Sequence, residues 1–84
     1  MYVHIGKEVV VKEKDIVGIF DLESISKSNV SKNFLQYLKE NEMITNNTEE
    51  KNKSLVITLQ NNEIKGYLSN ISSGTLQKRA NKLD

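Results

Sequence analysis

From Tyr2 to Gly6 the chain alternates, with Val3 and Ile5 on one side and Tyr2 and His4 on the other. That two-residue period predicts a short strand closed by Gly6. The β-branched run EVVVK follows and is placed to pair back with it across a turn at Gly6-Lys7. In DIVGIFDLE, residues 15–23, the apolar residues Ile16, Val17, Ile19, Phe20 and Leu22 leave little room for a polar face. This predicts a central strand, with Gly18 where another group approaches the backbone closely.

The period then changes. Across residues 26–44 Val30, Phe34, Tyr37 or Leu38, and Asn41 follow helical spacing, with Lys32, Lys39 and Glu40 outside and Ser28 or Asn29 as the N-cap. So narrow a stripe needs a sheet beneath it. Met43 and Ile44 lead back toward that sheet. Residues 45–54, TNNTEEKNKS, contain no apolar residue and read as a long polar loop. LVITLQ, the pair Asn61-Asn62 and EIKGYLS form a hairpin, because two asparagines tolerate the positive φ of a tight turn. Ser72 or Ser73 caps a last helix, GTLQKRANKL, with Leu76, Ala80 and Leu83 as its buried stripe.

These elements predict an α+β fold: a small, mostly antiparallel sheet of about five strands, one central helix and a short C-terminal helix. Val17, Ile19, Phe20, Val56, Ile57 and Leu59 would form the sheet core, packed by Phe34 and Leu38. The 84 residues suffice for one domain, 1–84, with no internal repeat or linker.

Composition narrows the chemistry. The chain has no cysteine, so disulfides and thiolate metal sites are excluded. His4 is the only histidine and sits on a strand, where a structural role is expected. Asp15 and Asp21 read as a strand boundary and turn formers. The four glycines make no phosphate-cradling loop. Neither an enzyme nor a bound cofactor or metal is expected. The start MYVHIGKEVV lacks the signature of a signal peptide, and no run approaches the roughly 20 apolar residues of a membrane span. A soluble, cytoplasmic protein without membrane contact is the expectation.

A formal net charge of +1 leaves nucleic-acid binding to local asymmetry. One basic patch is Lys51 and Lys53, beside Glu49 and Glu50. The other is Lys78, Arg79 and Lys82, in a tail without an acid between Glu63 and Asp84. Solvation explains the first equally well, and compensation of a helix dipole the second.

YVHIG, DIVGIFDLE, SLVITLQ and SSGTLQKRA, in this order, resemble the RemA/RemB group of extracellular matrix regulatory proteins of Gram-positive bacteria. The likeness spans nearly the whole chain, and its most specific parts are the DIVGIFD strand and the serine-rich entry into TLQKRA. It implies a cytoplasmic DNA-binding transcriptional regulator of biofilm matrix genes, with a fold related to LytTR-type domains. It also implies ring-like homo-oligomers that present basic residues to duplex DNA. The group's arginine-rich loop falls on Glu50, Lys51, Asn52 and Lys53 here. Two cations stand as lysines, which carry no bidentate fork, and Glu50 occupies the place of an arginine and repels phosphate. The alternative is a protein-interaction module that modulates another regulator without touching DNA.

Overall fold

The computed structural model describes residues 1–6, 8–45 and 51–81. In chain order these form β1 (Tyr2–Gly6), β2 (Val9–Lys12), a 3₁₀ turn (Glu13–Asp15), β3 (Ile16–Asp21), α1 (Leu22–Ile25), α2 (Asn29–Glu40), β4 (Ser54–Gln60), β5 (Glu63–Ser69) and α3 (Ser73–Ala80). The α+β class and the five strands agree with the sequence reading; the single sheet does not. β1 and β2 pair only with each other, and the other sheet has the order β3-β4-β5, all antiparallel. The cause lies between β2 and β3. The 3₁₀ turn, tied back by the Glu13 amide to the Met1 carbonyl at 2.8 Å, redirects the chain into a second layer.

β4, not β3, is the central strand, and Ser54 through Thr58 are buried in succession. Its odd positions, Leu55 and Ile57, join Leu38, Ile25 and Leu68 in one core beneath α2. On the opposite face Val56 joins Val3, Ile5, Val11 and Leu76, so the β1–β2 hairpin and α3 cover that side. The three-stranded sheet is thus the middle layer. Among the buried polar groups, the Ser54 hydroxyl donates to the Ile71 carbonyl at 2.8 Å, and the Ser69 hydroxyl accepts from the Ile71 amide at 3.0 Å. These two bonds fix the exit from β5 into α3, which Ser72 caps by accepting from the Thr75 amide.

The expected core needs correction. Ile57, Val56 and Leu38 are buried and Ile19 packs against the hairpin-side core, but Val17, Phe20, Leu59 and Phe34 are exposed. β3 is an edge strand, and its register shifts between Ile16 and Gly18, a bulge that sets Val17 outside the ladder. On α2 the buried side is Leu38 with the half-buried Leu35, while Val30, Phe34 and Tyr37 face outward. At 3.6 residues per turn Phe34 and Tyr37 lie roughly 40° and 100° round the helix from Leu38. The stripe chosen from spacing is therefore the neighbour of the one that packs.

Two local expectations hold. Asn61 and Asn62 take φ values of 51° and 66°, as a two-residue hairpin turn requires. Met43 and Ile44 return to the sheet: Gly66 donates to the Met43 carbonyl at 2.8 Å and accepts from the Thr45 amide at 3.0 Å, covering part of the outer edge of β5.

Candidate nucleic-acid interface

Lys53 directly precedes β4, and its backbone is held from both sides. Its amide donates to the Ser69 carbonyl at 2.7 Å, and its carbonyl accepts from the Leu22 amide at 3.0 Å. These bonds extend the ladder by one residue past the Asp21–Ser54–Ser69 register. The side chain of Lys53 is exposed, so a cation is carried on a fixed backbone, with exposed Lys51 two residues earlier. The nearby Lys27–Glu23 pair, at 3.9 Å with both side chains mostly exposed, contributes little to stability. Glu49 and Glu50 lie outside the described residues.

The second patch divides. Arg79 is on the last turn of α3, and its Nη1 donates to the His4 carbonyl of β1 at 2.8 Å. It therefore staples α3 to the hairpin, a role that charge counting and dipole arguments did not suggest. His4 contributes only its backbone carbonyl to this contact and is exposed. Lys78 is exposed beside it, and Lys82 and Leu83 lie outside the described residues. By its last turn α3 has run back along β3, with Gln77, Ala80 and Asn81 beside Ile16 and Gly18. Lys53 stands at the other end of the sheet, four to five residues along β4 from the partners of Gly18 and Ile16, about 15 Å away at ~3.3 Å per strand residue. One chain does not merge the two basic patches.

Sequence reasoning passed over Lys12 and Lys14. Both are exposed, and with Tyr2, Asp15, Gln60, Asn61 and Tyr67 they line an open, mainly polar pocket of about 340 Å³. The Gln60 amide bridges the Thr58 and Tyr67 hydroxyls at 2.9 Å each and so stiffens its floor. The signal was the alternation Lys12-Glu13-Lys14-Asp15: the two acids are half-buried and the two lysines exposed.

Asp21 caps α1, accepting from both the amide and the hydroxyl of Ser24 at 3.1 Å. Among the described residues no group of three or more His, Asp or Glu side chains is placed to hold a metal, and no helix is long and apolar enough to cross a membrane.

Residues 2–80 match the family model described as RemA-like: Extracellular matrix regulatory protein A-like. The chain is also similar to Extracellular matrix regulatory protein B of Bacillus subtilis (strain 168), at 40% identity over 80 residues, which is 95% of this chain and 90% of that protein.

Proposed function

Because the chain belongs to the RemA-like family of extracellular matrix regulatory proteins, we propose that it is a DNA-associated transcriptional regulator of matrix (biofilm) genes. In this reading it works in the cytoplasm as a homo-oligomer, and its fold is kin to LytTR-type DNA-binding domains. The observation that carries DNA contact is Lys53: an exposed cation on a backbone hydrogen-bonded to two neighbouring segments. A pre-positioned lysine meets a phosphate without first ordering its own chain. Lys51 adds a second charge, and Lys78, Arg79 and Lys82 form the weaker surface.

Lysines aimed at phosphate give affinity without sequence choice, and each phosphate contact contributes a slope of about 0.9 in log K against log salt. With so few contacts per chain, binding depends on several copies engaging one duplex. Fluorescence anisotropy on a random 30-base-pair duplex, titrated at several salt concentrations, tests this. The Lys51→Gln/Lys53→Gln double variant should bind more weakly to every sequence, with a salt slope lower by about two units for each copy bound. Wild-type protein with no salt-dependent binding would pass the reading to the protein-interaction alternative. That alternative is favoured by one observation, an uncovered apolar face.

A further inference from the structure

The polar recess of about 340 Å³ between the β1–β2 hairpin and the end of the β4–β5 hairpin has no part in the DNA reading. Tyr2 and Lys12 are directly opposite one another across β1 and β2, so ring and ammonium share the outer face of that hairpin. Lys14 and Asp15 enter the recess from the 3₁₀ turn, and Gln60 and Tyr67 from β4 and β5. We propose that the recess binds a small phosphate monoester that also carries hydroxyl groups, of the kind and size of a nucleoside monophosphate.

The hydrogen bonds on its floor decide what it offers. The fully buried Thr58 hydroxyl donates to the Lys65 carbonyl at 3.3 Å, so toward Gln60 it acts as an acceptor. Gln60 must then present its amide nitrogen, and that nitrogen also donates to the Tyr67 hydroxyl at 2.9 Å. Both Nε2 hydrogens are thereby used, which leaves Oε1 to accept. Tyr67 accepts in its bond to Gln60 and keeps its own proton to donate.

Charge adds the anion. Two lysines and one carboxylate line the recess, and among the described residues neither lysine has an ion-pair partner. Asp15 is half-buried and both lysines are exposed, so the open side is cationic. The walls therefore hold two sets of groups. Lys12, Lys14 and Tyr67 donate, as the oxygens of a phosphate require, while Gln60 Oε1 and the Asp15 carboxylate accept, as hydroxyls require. A bare phosphate dianion would use only the first set. The volume is at the lower end of the roughly 300–1,000 Å³ in which small ligands sit. Tyr2, 64% exposed at the rim, offers an aromatic face to a planar base. Gln60 ends β4 and Lys53 precedes it, so a ligand here leaves Lys51 and Lys53 of the same chain open.

Calorimetric titration of the full chain with AMP, followed also by ¹H–¹⁵N NMR, supplies the test. AMP should bind with a Kd between roughly 10 µM and 1 mM and move the resonances of Lys12, Lys14 and the Gln60 side-chain amide. Adenosine and inorganic phosphate should each bind at least about 10-fold more weakly, since each satisfies only one set of groups. Lys12→Gln/Lys14→Gln should weaken AMP binding by about 10-fold or more, and Tyr67→Phe by roughly 3- to 10-fold, with cooperative circular dichroism melts showing that both are folded. Lys51→Gln/Lys53→Gln should bind AMP like wild type, so failure of the DNA reading leaves this one standing. No binding up to about 10 mM AMP, or equal affinity in the folded Lys12→Gln/Lys14→Gln variant, would overturn the proposal. So would a random duplex that displaces AMP and moves the same resonances, because the recess would then be a DNA contact.

Discussion

Gly18 and Phe20 share one face of β3, and the Phe20 ring lies so close over Gly18 that a Cβ there would stand 2.7 Å from Cε2 and Cζ. No side chain fits between the ring and the strand. Gly18 does not have a positive φ, so alanine is acceptable to the backbone and only the ring must yield. Because the ring is half-exposed, it can swing outward. Gly18→Ala should therefore cost no more than about 1 kcal/mol, the scale of one displaced rotamer. Denaturant unfolding and the NMR shifts of the Phe20 ring check this; a loss above about 2 kcal/mol would mean that the ring has nowhere to go.

The two stripes of α2 should separate by stability. Leu38 is fully buried against Leu55, Ile57 and Leu68, whereas Phe34 keeps nearly half its surface in water. Leu38→Ala should lose about 3 kcal/mol and Phe34→Ala about 1.5 kcal/mol, even though the phenyl group is larger. For a domain of this size each kcal/mol lowers the melting temperature by roughly 4–8 °C. Thermal melts at a concentration where the chain is monomeric decide it; equal losses would mean that Phe34 is as buried as Leu38.

That contrast shows where the sequence was legible and where it was not. Strand periods, the Asn61-Asn62 turn and the caps at Ser28 and Ser72 depend on neighbours in the chain, and they were readable locally. What failed was decided across the chain. In Val30, Phe34 and Leu35 an apolar side chain recurs on two adjacent helix faces, and only docking onto β4 and β5 selects Leu35 and Leu38. Nothing in Ile16–Asp21 states that β3 lies at an edge, so its unbroken apolar run read as a central strand. Arg79 was legible as a charge, but its acceptor lies 75 residues away, beyond any spacing rule.

Helix α2 ends at some conformational cost. The Met43 amide reaches the Leu38 carbonyl at 2.9 Å and the Glu42 amide reaches the Lys39 carbonyl at 3.3 Å, the paired closure that places Glu42 in the left-handed region at φ 55°. Glycine takes that conformation without the Cβ clash that a glutamate suffers. Glu42→Gly should stabilise the protein by about 0.5–1 kcal/mol, read as a higher denaturant midpoint at unchanged slope. Glu42→Ala keeps the Cβ clash and should give no such gain. If both variants lost stability, the Glu42 side chain would have a role beyond its backbone.

Arg79 provides the sharpest separation between holding the fold and touching DNA. Its guanidinium already spends one donor on the His4 carbonyl, tying α3 to β1, and its other donors remain for a phosphate. Arg79→Lys keeps the charge but loses the planar fork, whereas Arg79→Gln loses both. If the residue is chiefly a staple, both changes should cost about 1 kcal/mol of stability, the worth of one solvent-exposed hydrogen bond, and leave the salt slope of DNA binding untouched. If it also meets phosphate, Arg79→Gln alone should lower that slope by about one unit, with Arg79→Lys retaining it. The bond to His4 leads us to expect the first pattern, with the larger slope change falling on Lys51→Gln/Lys53→Gln. Urea unfolding and salt-titrated anisotropy on the same three variants measure both quantities, and a slope that falls only for Arg79→Gln would move the principal DNA contact to α3.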